Sequence, residues 1–239
     1  IPNVSQDELI EHRSLFDGKF NEHHLFIIGI NDHSINGAFE HYFNSLSLYD
    51  YKLNLLNSYN KINLVPFGEF LPYENILRKI GLKSLTNNYQ SFSKGEKRNI
   101  IDLNQEKFSL KILPLICYEI IYSGKLFSNS DFDLIINISE DGWFGNSIGP
   151  KQHFVHSVFR AIETGKYVLR SANNGITAII NPLGEIEQRI ELGESGYVDL
   201  QSIKNIQTTI FFKYGNKVFG LLILLYIFFI FSFNKINNE

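Results

Sequence analysis

The sequence predicts an α/β fold in which helices cover both faces of a sheet. Short runs rich in isoleucine and leucine, typical of buried strands, alternate along the chain with segments of helical spacing. These runs are nearly continuous in apolar residues, as expected for strands that are buried on both faces. With 239 residues, the chain is long enough for one large α/β domain or two small ones.

Composition is that of a globular protein and argues against nucleic-acid binding and an internal disulfide. Hydrophobic residues make up 44% and charged residues 20%, as in ordinary folded domains. The net charge of −3, without a basic block, gives no support for nucleic-acid binding, which needs concentrated positive charge. A single cysteine excludes an internal disulfide. Methionine is absent, including at position 1, so we expect the chain to be part of a longer translation product.

The N-terminal part is predicted to open with a short helix and to continue with two strands. Ser5 and Glu8 have the spacing of a capping box, in which each side chain bonds the other residue's backbone amide. The expected elements are a helix within 5–16, a strand over 24–31, a turn-like segment over 33–38 and a strand over 40–51. Two prolines and a glycine then interrupt the segment 66–72, so Glu69 is expected on an irregular loop.

The remainder of the chain alternates predicted helices and strands. The expected elements are a helix over 73–80, a surface loop over 85–101, a strand from 110, a loop or short helix over 123–131, a strand over 133–138, a helix over 151–165, and strands over 167–171, 177–180 and 196–200. Gly149 and Pro150 are expected to stop the chain before the helix over 151–165, because both residues break regular structure.

The C-terminus predicts a transmembrane helix. The stretch 218–233 contains no charged residue, with Lys213 and Lys217 before it and Lys235 after it. Its length as a helix, roughly 24 Å, is short of the ~30 Å hydrocarbon core, but flanking aromatic residues and lysines bring the segment close to spanning length. We therefore expect a span over 210–234 and a polar tail over 235–239. A buried core helix is the alternative.

The stretch 110–122, LKILPLICYEIIY, contains the only cysteine. An apolar run typical of a buried strand ends at Cys117, which is followed by Tyr118 and Glu119. A thiol at the end of such a strand is well placed to be a nucleophile. Free cysteine is also among the most buried residue types and often acts as a small hydrophobe. From this stretch alone, both interpretations remain open.

Lys61, Glu69 and Glu119 are candidates to support such a thiol. A lysine stabilises a thiolate and the oxyanion of a tetrahedral intermediate, and a carboxylate accepts or returns a proton. Each residue also has a structural explanation, as a solvated lysine, a loop acid or a partner of some other cation. Their spacing in the sequence does not bring them together.

Metal and nucleotide cofactors are not predicted. The seven histidines form no H-E-x-x-H pattern, and no glycine-rich phosphate-binding motif is present. His153 and His156 lie three residues apart on a predicted helix, but no third ligand is in view. A cysteine–histidine pair of the protease type has no histidine in a recognisable partner context.

Four segments resemble the apolipoprotein N-acyltransferase family, whose members are membrane enzymes that add the third acyl chain to bacterial lipoproteins. They are YNKINLVPFGEFLP at 59–72, LICYEII at 115–121, SEDGWFGNSIGPKQHF at 139–154 and RSANNGITAIINPLGEI at 170–186. The similarity covers nearly the whole chain in the same order. It implies the nitrilase superfamily, with an αββα sandwich and a Glu-Lys-Cys triad, and here a nitrilase-like domain over 1–209 that is truncated at its N-terminus.

The resemblance implies roles for individual residues. Cys117 matches the nucleophile and Lys61 the catalytic lysine, while Glu69 and Glu119 match two further acids that support the triad and position substrate. Tyr118 and Trp143 are expected to shape the substrate pocket. The catalytic glutamate of the family precedes an Ile-Pro step, and the chain begins with these two residues, so we expect the general base upstream. Glu140 departs from the asparagine usual in the family, which leaves the local hydrogen bonds to be determined.

The reaction implied by the resemblance is ping-pong acyl transfer at the periplasmic face of the bacterial inner membrane. Cys117 would take an acyl chain from a phospholipid and pass it to the N-terminal amine of a lipidated apolipoprotein. A soluble nitrilase-type amidase is an alternative, against which the C-terminal apolar helix and the LVPFGE and GWFG motifs argue. A truncated domain that binds lipid without turnover is a second alternative.

Overall fold

A computed structural model of the protein describes residues 4–36, 39–77, 79, 81, 91–105, 108–124, 131–204 and 206–236. The strands in this part of the chain are β1 Phe26–Asn36, β2 Phe39–Tyr49, β3 Leu55–Asn60, β4 Ile101–Gln105, β5 Phe108–Ile116, β6 Leu134–Glu140, β7 Tyr167–Asn173, β8 Thr177–Ile180 and β9 Ile186–Ile190. The helices are α1 Gln6–Glu11, α2 Glu74–Leu77, α3 Gly149–Thr164, α4 Ile210–Tyr214 and α5 Lys217–Ile236, with 3-10 turns at Arg13–Leu15, Cys117–Ile121 and Asp141–Phe144.

The strands form two sheets. The first is antiparallel in the order β1-β2-β3, and the second has six strands in the order β4-β5-β6-β7-β8-β9. Within the second sheet, β5, β6 and β7 are parallel, whereas β4, β8 and β9 pair antiparallel at its edges. The carboxyl ends of β5, β6 and β7 therefore lie side by side, which is where α/β sheets commonly place their ligands.

The layers follow the order helix, sheet, sheet, helix, which confirms the predicted sandwich. One apolar cluster fills the space between the two sheets, a second lies between the larger sheet and α3, and a third lies under α1. The continuous apolar sequence of β5 follows from its position between two apolar clusters. Ile112 and Ile116 belong to the cluster between the sheets, whereas Leu113 and Leu115 belong to the cluster under α3. Both faces of the strand are covered.

Several predicted elements are confirmed, and the first strand is longer than expected. Ser5 caps α1 with the predicted capping box, its hydroxyl accepting from the Glu8 amide. The prediction of a turn-like segment over 33–38 is wrong for residues 33–36. β1 continues through this polar stretch to Asn36 and is paired with β2 along its whole length. β3 and β4 were not predicted. In β3, Leu55 and Leu56 are exposed and Tyr59 is buried, so its sequence has no clean period.

Two corrections concern the C-terminal half. Gly149 and Pro150 do not stop the chain but begin α3, because proline in the first turn lacks only an amide that would have no helical partner. The strand predicted over 196–200 is absent from the described chain, and β9 takes the edge of the sheet. The Gln188 side chain bonds both the amide and the carbonyl of Asp199, so this segment is held by a side chain rather than by a strand ladder.

The predicted transmembrane helix over 210–234 is not confirmed. Gly215, with a φ of 54°, separates α4 from α5, and its amide bonds the Phe211 carbonyl. Across the described ranges, no helix is both long enough and apolar enough to cross a membrane. The uncharged stretch 218–233 rises only roughly 24 Å, which is short of the ~30 Å hydrocarbon core. Parts of other predictions, at 78, 80, 85–90, 125–130 and 237–239, lie outside the described residues.

Candidate active site

Cys117 lies where β5 ends and is the first residue of the 3-10 turn Cys117–Ile121. Its thiol is free and half-buried. Its φ is 49°, a left-handed conformation that costs a residue other than glycine on the order of 1–3 kcal/mol. Such strain persists only where surrounding contacts hold it, and it is common at reactive residues. The predicted position of the thiol at a strand end is therefore confirmed, in a strained turn.

Lys61 and Glu69 form a buried ion pair rather than two solvated charges. Lys61 is 1% exposed and lies directly after β3. Its Nζ donates to both oxygens of Glu69, at 2.9 and 2.7 Å. The Val65 amide and the Asn44 side-chain amide also donate to Glu69, at 2.8 and 2.7 Å. Glu69 lies on the expected irregular loop, which folds back so that its carboxylate reaches the lysine.

Glu119 is buried in the turn that begins at Cys117. It is 0% exposed and accepts from five donors: Tyr59 Oη at 2.8 Å, the Ile62 and Asn63 amides at 3.1 Å, Arg98 Nη2 at 3.0 Å, and the Ile116 amide at 3.0 Å. Burial, followed by the charge of Glu119, raises the pKa of Tyr59 well above its usual value, so this hydroxyl remains a donor. The five donors stabilise the ionised carboxylate in the interior.

The contacts of Glu119 bring the candidate residues together. The Ile62 amide, next to Lys61, and the Ile116 amide, next to Cys117, donate to the same carboxylate. This carboxylate therefore fixes the lysine-bearing segment against the turn that carries the thiol. Arg98, which the sequence analysis missed, adds its positive charge here and also bonds the Asn63 side chain at 2.9 Å. It lies in a polar stretch, where no sequence pattern distinguishes it from a surface arginine.

Tyr118 and Trp143 lie at the ends of neighbouring parallel strands. The Tyr118 ring packs edge-on against Tyr122, with centroids 5.7 Å apart. Trp143 is 66% exposed in the 3-10 turn Asp141–Phe144, which follows β6. Burial, with smaller contributions from Tyr118 and Glu119, raises the pKa of Tyr122. Two tyrosine rings and an exposed indole thus lie on the carboxyl edge of the sheet, near the turn that holds the thiol.

A buried cluster of Asp141, His153 and Arg170 lies behind Cys117 and was not predicted as a site. Arg170 donates to Asp141 Oδ2 at 2.7 Å, and His153 Nδ1 lies 2.9 Å from Asp141 Oδ1. His153 Nε2 lies 3.2 Å from the backbone carbonyl oxygen of Cys117. Burial alone would raise the pKa of Asp141, but the hydrogen bond from His153 and the charge of Arg170 outweigh it and hold that pKa below its usual value.

Glu140, which departs from the family asparagine, makes a complete set of local bonds. Its Oε1 accepts from the Gly142 amide at 2.8 Å and from the Asn174 side chain at 3.1 Å. Its other oxygen accepts from the Asn173 side chain. These bonds tie the end of β6 to the end of β7, so the departure preserves this edge of the sheet.

A cavity of about 710 Å³ is bordered by Arg170, Asn173 and Asn174. It is bounded by β7, β8 and the segment 193–200, with Leu169, Ala178 and Tyr197 among its lining residues. Neither Cys117 nor Lys61 borders it. Glu69 and Glu119 do not border it either.

Comparison with known proteins agrees with this geometry. A family model described as carbon-nitrogen hydrolase matches residues 14–206. The apolipoprotein N-acyltransferase of Rhodopseudomonas palustris is 38% identical over 184 residues, which cover 77% of this chain and 34% of that protein. The apolipoprotein N-acyltransferase of Rickettsia bellii is 40% identical over 213 residues, which cover 88% of this chain and 41% of that protein. The chain thus spans between a third and about two fifths of these relatives.

Solved structures with the same fold come from an amidase of Nesterenkonia sp. AN1. One form, with the acetamide moiety of fluoroacetamide added covalently at its active-site cysteine, has a TM-score of 0.52 and 15% identity, covering 79% of this chain and 65% of that chain. A mutant of the same amidase, described as from the nitrilase superfamily, has a TM-score of 0.51 over 79% and 66% of the two chains. At this identity, the likeness shows the fold alone.

Proposed function

The chain belongs to the carbon-nitrogen hydrolase family, and on this premise we propose that it is the catalytic domain of an apolipoprotein N-acyltransferase. The observation that carries the proposal is the position of the single thiol, in a strained turn after β5, next to the segment that contains Lys61. Glu119 joins the two, because its carboxylate accepts from both the Ile62 amide and the Ile116 amide. The identity of 38–40% to proteins of that name supports acyl transfer rather than another reaction of the family.

In the first half-reaction, the thiolate of Cys117 attacks the ester carbonyl of a phospholipid. A carbon–sulfur bond forms, the carbon–oxygen bond breaks, and the lysophospholipid leaves with the thiol's proton. Lys61 provides positive charge for the tetrahedral oxyanion, and Glu69 holds the lysine by its two hydrogen bonds. The product is an acyl thioester on Cys117.

In the second half-reaction, the N-terminal amine of a diacylglyceryl-cysteine lipoprotein attacks the thioester. A carbon–nitrogen bond forms, the carbon–sulfur bond breaks, and the proton of the amine returns through the general base to regenerate the thiol. Tyr118 and Trp143 would contact the substrates, because they lie at the same edge of the sheet as the thiol.

The general base must be another residue than Glu69 or Glu119. Glu69 accepts two bonds from Lys61 and two from amides, and Glu119 accepts five bonds while fully buried. Protonating either carboxylate would break contacts that hold the site together. We therefore propose a Glu-Lys-Cys triad in which a different glutamate is the general base and Glu69 and Glu119 are positioning residues.

Both proposed substrates are lipids, and α5 offers a surface that suits a lipid bilayer. Apolar side chains are exposed around its whole circumference, among them Phe219 at 66%, Leu224 at 66% and Phe231 at 71%. A helix that is apolar on all sides is stable in a protein core or in lipid, not in water. We propose that α5 holds the domain against the inner membrane on its periplasmic side.

The proposed acyl-enzyme provides the test. The full-length gene product, incubated with a mixture of bacterial phospholipids in detergent, should gain the mass of one acyl chain, and hydroxylamine should remove it. Cys117→Ala should show no adduct, and Lys61→Met should slow adduct formation. Absence of a Cys117-dependent adduct would refute the proposal. Hydrolysis of short amides without any lipid-derived adduct would favour the amidase instead.

A further inference from the structure

We propose that His153 is a positioning residue whose Nε2–H anchors the Cys117 carbonyl and so holds the nucleophile's backbone in its left-handed conformation. The inference rests on the proposed role of Cys117 as nucleophile. It concerns a second, buried set of groups behind the turn, separate from Lys61, Glu69 and Glu119.

The hydrogen-bond chemistry determines which atom of His153 carries a proton. A backbone carbonyl oxygen only accepts, so at 3.2 Å from the Cys117 oxygen, Nε2 must donate. The opposite ring atom, Nδ1, lies 2.9 Å from Asp141 Oδ1 and 3.2 Å from Arg170 Nη2. Whether Nδ1 donates to the carboxylate or accepts from the guanidinium, Nε2 keeps its proton and its bond to Cys117.

The partners of His153 are themselves fixed, so the ring cannot turn away. Asp141 is 0% exposed and accepts from Ser139 at 2.7 Å and Arg170 at 2.7 Å. Arg170, 1% exposed, also donates to the Ile176 carbonyl at 3.2 Å and to the Asn137 side chain. These contacts connect the ends of β6 and β7 to α3 and, through His153, to the turn after β5.

The anchored carbonyl belongs to the strained residue itself. Cys117 has a φ of 49°, and we expect the residue to relax toward the negative φ values that it prefers when the imidazole bond to its carbonyl is lost. Cys117 already packs partly against the apolar cluster between the sheets. We expect a relaxed backbone to turn the thiol toward that cluster, and the imidazole bond opposes this.

Reactivity of the single thiol tests the anchor without any lipid substrate. In the intact protein, the alkylation rate of Cys117 by iodoacetamide is followed by mass spectrometry. His153→Gln keeps a donor near the position of Nε2, whereas His153→Phe keeps the ring volume and removes the donor. We expect His153→Phe to slow alkylation by about fivefold, the factor that corresponds to one typical net hydrogen bond, and His153→Gln to retain most of the wild-type rate.

The neighbouring histidine is the matched control. His156 lies on the same helix, half-buried against the Phe159 ring, and His156→Gln should alkylate at the wild-type rate. Circular dichroism confirms that each variant is folded before its rate is compared. Equal rates for His153→Gln and His153→Phe, or a wild-type rate in His153→Phe, would overturn the proposal. Because iodoacetamide replaces the lipid, failure of the acyl-enzyme test would leave this result interpretable.

A measurement on the wild-type protein tests the hydrogen bond even if the His153 variants do not fold. With histidine labelled by nitrogen-15 and the cysteine carbonyl by carbon-13, NMR should show a proton on Nε2 of His153 and a coupling across the hydrogen bond to Cys117. A ring protonated on Nδ1 alone would overturn the proposal. In the acyltransferase assay, His153→Phe should lower kcat with little change in KM, since the ring contacts the nucleophile's backbone and not the substrate.

Discussion

Among single residues, the two carboxylates near Cys117 differ in burial and in partners, and these differences separate their roles. Glu69 is 13% exposed at its side chain and pairs directly with the lysine. Glu119 is fully buried and accepts mainly from backbone amides, Tyr59 and Arg98. Both residues were candidates from the sequence, but sequence spacing predicts neither how deeply a carboxylate is buried nor how many donors it accepts from. The structure separates a carboxylate that fixes a side chain from one that fixes a turn.

Replacing Glu119 by glutamine should destabilise the fold. The side-chain NH₂ group of glutamine would face donors such as the Ile116 amide, with no acceptor between them. Arg98 would also lose its negatively charged partner. Breaking one side of a buried ion pair typically costs about 3–5 kcal/mol, which is the expected decrease in the free energy of unfolding. Urea denaturation measures it, with Glu96→Gln at an exposed position as the control. A decrease as small as that of the control would contradict the role of Glu119 as a buried cross-link.

Asp141 predicts a loss of stability in acid. Its pKa is lower in the folded than in the unfolded protein, because the His153 hydrogen bond and the Arg170 charge outweigh burial. Its contribution is therefore complete above the unfolded value, about pH 4, and is lost as the pH falls through the folded pKa. Denaturation curves between pH 7 and pH 3 should show less of this acid loss in Asp141→Asn, which should also be less stable at pH 7. An unchanged acid profile, as expected for the exposed control Asp131→Asn, would contradict the assignment.

Among the elements, the loop around Gly95 shows how closely the segments near Lys61 approach each other. The Gly95 amide donates to the Lys61 carbonyl at 2.9 Å. A Cβ on this glycine would lie 2.2 Å from the Asn60 carbonyl oxygen. Only glycine allows this approach, so the segment around Gly95 and the end of β3 are packed backbone against backbone.

Gly95→Ala should therefore displace the segment that carries Lys61. We expect a loss of about 1–3 kcal/mol, the usual range for overpacking, and slower formation of the proposed acyl-enzyme. Gly220→Ala is the control, because a Cβ there meets no atom within 4 Å and alanine favours a helix. Thermal unfolding followed by circular dichroism compares the two. Equal melting temperatures for wild type and Gly95→Ala would contradict this close approach.

Some elements of the fold were predictable from the sequence and others were not. β5 and β6 were predictable because burial on both faces makes their sequences continuously apolar, and the Ser5–Glu8 box marks α1 by itself. β3 was missed because its leucines face solvent. The pairing of His153 with the Cys117 carbonyl joins residues 36 positions apart, and no local pattern reports such a contact. Cys117 and Lys61 were found through long motifs, whereas Arg98 had no motif to mark it.

In the whole molecule, the four-layer sandwich buries its apolar side chains, whereas α5 exposes its apolar side chains. The clusters under α1, between the sheets and under α3 remove apolar side chains from solvent, whereas α5 exposes them. An apolar surface of this extent marks a contact with another apolar phase. The proposed lipid substrates make the bilayer the phase that the helix would meet, so membrane affinity and folding should be separable.

Paired glutamates on α5 should weaken binding to vesicles without unfolding the domain. Leu224 and Phe228 lie four residues apart on one face, 66% and 63% exposed. Each loses roughly 1.5–3 kcal/mol of apolar transfer when it no longer enters lipid, so Leu224→Glu with Phe228→Glu should reduce binding at least about a hundredfold. Co-sedimentation with vesicles of phosphatidylethanolamine and phosphatidylglycerol measures it. Ile35→Glu, at a site 68% exposed on β1, is the control that should bind as wild type. Unchanged binding in the α5 variant, with the melting temperature of the domain retained, would show that α5 does not hold the protein to lipid.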